Sequence, residues 1–320
     1  MIDFVYLRRG LIALSRAHRA NGMAGHLGSA LMAGYFFGEI RTDLKLGVRF
    51  AIERDLERII GGEEAIWFNA EKTGVSIGDL FAPAELKAPD AAKGDLAAGV
   101  IAEALARNID RTRQSGHNTI FASIAIRGLR DHPEFGAPEV VEGLRKLMAT
   151  FDHQGPGRAY FGEKIGWKNG DDVDVDPIPE PDYDTLDGLV DTTLDELIAT
   201  ASHPRTGFGG LHHLIDHAAG LVELKQLGFP ELAERGIAAH RHHLRLMRAL
   251  PDLVEEKGLR AKAEKDFLDP GYWERRDSVQ YGAWLTHRIK SLYGFTVLAN
   301  ACEDEAKVAK ATREMRYLLA

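Results

Sequence analysis

The stretch Ala24-Gly25-His26-Leu27-Gly28-Ser29-Ala30-Leu31-Met32-Ala33-Gly34-Tyr35-Phe36-Phe37-Gly38 contains no Asp, Glu, Lys or Arg. It is rich in small and apolar residues on most sides, the mark of a helix buried all round rather than along one stripe. The chain then breaks at Gly38 and resumes, over 42–60, with Leu44, Val48, Ala51, Ile52, Leu56 and Ile59 at helical spacing among charged residues. That second segment reads as an amphipathic helix lying outside the first. The same succession recurs three times, as 117–130 then 138–150, 209–227 then 231–249, and 279–299 then 303–319. The breakers between the members are His132-Pro133 to Pro138, Gly228-Phe229-Pro230 and Asn300. Amphipathic helices are also expected over 3–19, 94–112 and 185–201. With no convincing alternating strand, the chain reads as all-α, built of inner–outer helical hairpins.

The 320 residues are 45% hydrophobic, enough for a full core, and read as a single helical domain over 1–320. The formal net charge of -8 and the absence of a concentrated basic face argue against a nucleic-acid partner. One cysteine, Cys302, rules out a disulfide framework and a cysteine zinc finger, and reads as a small packing residue. No apolar run approaches the ~20 residues that span a bilayer. The N-terminus lacks the basic stretch of a signal peptide, so the expected location is the cytoplasm.

Histidine is the side chain that titrates nearest neutrality and the commonest metal ligand. It opens several of the inner segments: Gly25-His26, Gly116-His117, Gly209-Gly210-Leu211-His212-His213 and, more loosely, Tyr281 to His287. The densest constellation is His212-His213-Leu214-Ile215-Asp216-His217. On a helix His213 and His217 are one turn apart, as are His212 and Asp216. Two histidines so spaced can ligate one ion, so His212, His213, Asp216 and His217 are the expected ligands of a divalent metal such as Zn, Fe or Mn. His26, His117, His213 and Asp216 are the expected catalytic groups, since the helix N-terminus disfavours imidazolium and leaves a base or ligand. Asn118 is placed to cap its helix or meet a substrate oxygen, and Arg205 to meet an anionic one. His240, His242 and His243 fall on an outer-type helix and read as packing residues.

Three segments, 61–93, 151–183 and 266–278, read as long loops. Such loops are uncommon unless functional or disordered, and their aromatic residues argue against disorder. Tyr160, Trp167, Tyr272 and Trp273 are therefore expected to contact substrate. The acidic run Asp171 to Asp176 lacks EF-hand spacing and reads as a solvated loop.

The layout of inner and outer helices resembles the α/α-toroid, or (α/α)-barrel, architecture of terpenoid cyclases, prenyltransferase β subunits, sugar 2-epimerases and several glycan hydrolases and lyases. The resemblance covers most of the chain and is one of layout; the cyclase QW repeats are absent. It implies a toroid-like barrel whose inner helix ends open onto a central cavity. The expected function is thus an enzyme with a His-lined cavity, acting on a small organic or carbohydrate substrate by metal-assisted or histidine acid–base chemistry. Isomerisation, elimination, hydrolysis and oxidation all stay open, and the chain is free to form a homo-oligomer. The alternative is a non-catalytic helical-repeat scaffold that presents a concave surface to a protein partner.

Overall fold

The computed structural model describes residues 1–84, 93–274 and 283–320. About 66% of the chain is helical, in fourteen α-helices among the described residues, with one two-stranded sheet. The all-α expectation holds. Within the expected single domain, two compact units can be delimited: residues 1–105, 121–152 and 267–293 form the first, and residues 106–120, 153–266 and 294–320 the second.

In the first unit, helix Phe4–Arg16 starts where the Asp3 side chain accepts the Val5 N–H. It packs on helix Gly25–Ile40 through glycines: a methyl group at Gly28 would come within 2.5 Å of the Gly10 carbonyl oxygen. This close approach requires glycine. Every residue from Gly25 to Gly38 is buried, as an apolar-all-round helix demands. Helix Leu46–Ile60 buries Val48, Ala51, Ile52, Leu56 and Ile59 and leaves Leu46 and Phe50 exposed. Helix Pro138–Ala149 begins on proline and buries Val140, Leu144, Leu147 and Met148.

The second unit holds helices Leu186–Thr200, Gly210–Gln226, Pro230–Arg248 and Glu305–Leu318. Helix Gly210–Gln226 is buried on nearly all sides, and Pro230–Arg248 along one stripe that includes Leu232, Ile237, Leu244 and Met247. The inner and outer characters read from the sequence are thus the observed burial patterns in both units. Among the described residues no helix is long and apolar enough to cross a membrane.

The segments read as long loops carry short elements of their own. Segment 61–93 contains helices Ala70–Thr73, capped by Asn69, and Ile77–Phe81, held by reciprocal Ser76–Asp79 bonds. Segment 151–183 contains an antiparallel hairpin, Arg158–Tyr160 with Trp167–Asn169, that pairs Tyr160 with Trp167. Gly162 and Gly166, both at positive φ, turn the chain between these strands. Segment 266–278 contains, among its described residues, the tight turn Pro270–Tyr272. Residues 85–92 and 275–282, and with them Tyr281 and Gly282 of the fourth histidine stretch, lie outside the described residues. The helix expected over 94–112 is Lys93–Ala106.

Candidate functional site

In the first unit, His26 lies in the first turn of helix Gly25–Ile40 and is fully buried. Its Nδ1–H donates to the Met23 carbonyl at 2.9 Å. In a neutral imidazole this places the lone pair on Nε2. The Trp67 indole stacks on the ring, with centroids 3.6 Å apart and planes 10° from parallel. His287, near the start of helix Trp284–Ala301, repeats the arrangement: its Nδ1–H donates to the Ala283 carbonyl at 2.9 Å. The two rings stand 5.2 Å apart, and a ring nitrogen of each lies within 4.8 Å of the other. Histidines that bind metals characteristically hand their second N–H to a carbonyl or carboxylate, which fixes tautomer and orientation. His26 and His287 are two buried or half-buried histidines prepared in that way and close enough to reach one ion.

The Glu64 carboxylate accepts the Leu285 and Thr286 N–H groups at the start of the same helix. Burial raises its pKa, against the opposing effect of those hydrogen bonds and of the Lys290 charge. A carboxylate at a helix N-terminus meets the positive end of the macrodipole. Lys290 is itself buried, one turn beyond His287.

Tyr272 and Trp273, expected to face substrate, instead enclose a side chain of the protein. The Arg288 guanidinium lies 5.4 Å from the Tyr272 ring, 4.7 Å from Trp273 and 5.1 Å from Trp284. Arg288 is wholly buried and ion-paired with Asp55, which also meets Arg58 at 3.2 Å. Burial lowers the Arg288 pKa to about 9, with a contribution from the Arg54 charge. The physical reason is plain: a desolvated guanidinium needs a carboxylate and ring faces around it.

In the second unit, His117 and His213 meet edge to face, with centroids 4.3 Å apart and planes at 85°. Each follows a strained turn. Gln114, Ser115 and Gly116 all have positive φ (43°, 61° and 84°), as do Gly207, Phe208, Gly209 and Gly210 (142°, 46°, 71° and 60°). Non-glycine residues there cost energy and persist only when their surroundings hold them. The Gln114 and Ser115 N–H groups donate to Gly155 and Pro156 carbonyls at 2.8 Å, and the Phe208 N–H to Arg158 at 3.0 Å. The glycines also make room for the rings. A methyl at Gly209 would fall 2.0 Å from His213 Cγ, and one at Gly116 would fall 2.7 Å from His217. His117 donates Nδ1–H to the Gln114 carbonyl, so its lone pair too is on Nε2.

His217 belongs to a buried hydrogen-bonded set that includes two histidines read from the sequence as packing residues. His243 Nε2–H donates to the Phe208 carbonyl at 2.9 Å, so its Nδ1 accepts the His217 Nδ1–H at 3.4 Å. His240 Nε2–H donates to Leu214 at 3.2 Å, and its Nδ1 accepts the Tyr183 hydroxyl at 2.7 Å. His217 Nε2 is buried without a hydrogen-bond partner among the described residues. Desolvation, then the neighbouring His240, His243 and His117, holds the His217 pKa well below 6.5. Desolvation likewise lowers His240 to about 3 and His243 to about 4.

The remaining expected residues separate by contact. The His213 and His217 rings engage different partners, while His212 is half-buried on another side of the helix. The Asp216 carboxylate packs against the Gly294 backbone. Asn118 donates its amide N–H groups to Asn108, lies inside helix His117–Asp131, and its Oδ1, the atom a cap would use, accepts no hydrogen bond among the described residues. Arg205 lies 3.7 Å from Glu196, the carboxylate that also binds Arg248. Trp167 is largely exposed on the hairpin, 5.8 Å from Tyr160. Trp67, Glu64 and Lys290 escaped the sequence reading. The one signal for Trp67 was the Trp67-Phe68 pair in a loop-like segment, and nothing local marked Lys290. No family model, curated protein or solved structure matches the chain.

Proposed function

We propose that this protein is an enzyme that acts on a small organic or carbohydrate substrate by metal-assisted or histidine acid–base chemistry. His26 and His287 are then ligands of a divalent zinc, iron or manganese ion in the first unit. A metal held there would polarise a substrate oxygen or activate water. In the second unit His117 and His213 are the acid–base groups, with Asp216 on the next turn beyond His213. One observation carries the reading: His26 and His287 each commit Nδ1–H to a backbone carbonyl and have ring nitrogens within 4.8 Å of each other. A backbone carbonyl that takes the second ring N–H is the partner metal-binding histidines commonly have.

The test is metal content by plasma mass spectrometry on tag-free protein, before and after incubation with zinc, iron(II) or manganese. Stoichiometric metal is expected in the natural sequence, with loss in the His26→Ala, His287→Ala double variant. A folded natural protein that takes up none of the three metals refutes the metal-assisted form of the reading and leaves only the histidine acid–base form.

A further inference from the structure

The hairpin of the second unit is paired along one edge and bare along the other. Bonds from the Gly170 N–H to the Gly157 carbonyl, 2.7 Å, and from the Phe161 N–H to the Gly166 carbonyl, 2.8 Å, fix which residues bond across it. Arg158 and Tyr160 fall between the bonded pairs, so their backbone groups turn outward, as alternation in an antiparallel ladder requires. On that side the Phe208 N–H donates to the Arg158 carbonyl at 3.0 Å and the Tyr160 N–H to the Thr206 carbonyl at 2.9 Å. By the same alternation Trp167 and Asn169 turn their N–H and C=O groups to the opposite edge. Among the described residues none of these four groups has a partner. Trp167 is 54% exposed, and Asn169 is exposed as well. An unpaired strand edge is a template for another strand.

Lys168 decides what that strand can be. It stands across from the fully buried Ala159 and so belongs to the inward face, where its Nζ lies 5.2 Å from the Phe161 ring. Phe161 in turn packs on Ala159, Phe208, Leu246, Met247 and Leu250. The ammonium has no carboxylate partner among the described residues. An inward charge on an edge strand opposes indiscriminate pairing. It opposes a second copy of this chain in particular. Pairing centred on the middle residue would set Lys168 against Lys168, and pairing centred on Trp167 would set Glu163 against Asp171. Like charges directly opposite are destabilising. A strand that brings a carboxylate opposite Lys168 gains an ion pair instead.

We propose that the edge Trp167–Asn169 docks an extended segment of a partner protein, added as a strand, with Asp or Glu facing Lys168 and an apolar side chain beside Trp167. The four backbone groups hold the segment, and Lys168 selects it. This surface belongs to the second unit and does not depend on the metal reading of the first.

The experiment uses the full chain, isotope-labelled, with acetyl-Thr-Val-Glu-Val-Thr-amide as the acidic probe. The control is the same peptide with Lys in place of Glu. Both have the same residue order in either direction, so parallel and antiparallel docking present the same side chains. Backbone amide shifts in NMR spectra locate and quantify binding. The acidic peptide is expected to move the Trp167 and Asn169 amides and to bind about tenfold tighter than the basic one. Asn169→Pro deletes one outward N–H and suits the fold, because the Asn169 φ of -77° is one that proline adopts. It should weaken the acidic peptide up to about tenfold, the loss of one backbone hydrogen bond. Lys168→Met should erase the preference between the peptides. Equal binding of both peptides by the natural sequence overturns the inference, as does no binding, or binding that leaves the Trp167 and Asn169 amides unmoved. Those outcomes are read on the natural sequence and stand whether or not a variant folds. A folded Asn169→Pro that binds undiminished also overturns it. Sedimentation of the natural sequence as a dimer that Asn169→Pro dissociates would assign the edge to a second copy and overturn it too.

Discussion

His213 rests on the bare α-carbon of Gly209: a methyl group there would fall 2.0 Å from His213 Cγ, and the backbone at Gly209 is left-handed. The neighbouring Gly210 is also left-handed, at φ 60°, but has nothing within 4 Å of where a methyl would stand. The pair separates strain from collision. Gly210→Ala should cost about 1–2 kcal/mol, the penalty of a left-handed alanine. Gly209→Ala should cost that and more, since the His213 ring must move. Urea unfolding of the two variants checks this; equal losses would show that the imidazole yields freely.

Acid should weaken the fold before the carboxylates titrate. An unfolded histidine takes up a proton near pH 6.5, whereas His243 and His240 resist protonation in the fold down to about 4 and about 3, and His217 also lies well below its ordinary value. The contribution of these groups is therefore complete above pH 6.5 and is lost as pH falls from there through the folded values. With all three resisting, stability should fall by about 4 kcal/mol per pH unit within that window. Urea midpoints between pH 7 and 5 measure it. His243→Gln and His240→Gln should each reduce the slope by about one proton's worth, or ~1.4 kcal/mol per pH unit.

Asp55 balances two cations, Arg288 and Arg58. Removing it strands a buried guanidinium inside its aromatic enclosure, and Asp55→Ala should cost about 3–5 kcal/mol. Arg288→Met keeps the bulk and leaves Asp55 with Arg58, so its cost should be clearly smaller. Thermal melts of the two variants give the order, and the reverse order would mean that Arg58 does not neutralise Asp55.

Trp67 lies flat on His26. A paramagnetic ion bound through His26 should quench the indole. Titrating cobalt(II) should lower tryptophan emission in the natural sequence, and Trp67→Phe should remove most of that change while leaving cobalt uptake intact. Quenching that survives in Trp67→Phe would place the ion near another tryptophan.

The helices were legible because burial writes itself into side-chain periodicity. Gly25 to Gly38 carries no Asp, Glu, Lys or Arg and is buried throughout, and the stripe of Pro230–Arg248 matches its buried face. The burial of Glu64, Lys290 and Arg288 was not legible, because a charged residue is placed inside by partners distant in sequence: Asp55 and Arg288 are 233 positions apart. His243 shows the limit for histidine. Its helix has the charged face of an outer helix, yet His243 is wholly buried because the Phe208 carbonyl and His217 ring await it. Tyr272 and Trp273 were recognised as important aromatics, but their contact with Arg288 was not legible, since ring faces serve an arginine as readily as a ligand.

The hairpin Arg158–Tyr160 with Trp167–Asn169 bears on what could be transplanted from this protein. Arg158 holds the Phe208 N–H, Ala159 bridges to Gly207, and the Phe208 carbonyl in turn orients His243, and through it His217. The ring orientations are therefore not a property of helices Gly210–Gln226 and Pro230–Arg248. A graft of those two helices onto another scaffold would carry the histidine spacing but lose the directions in which the rings point, unless a strand some fifty residues upstream travelled with them.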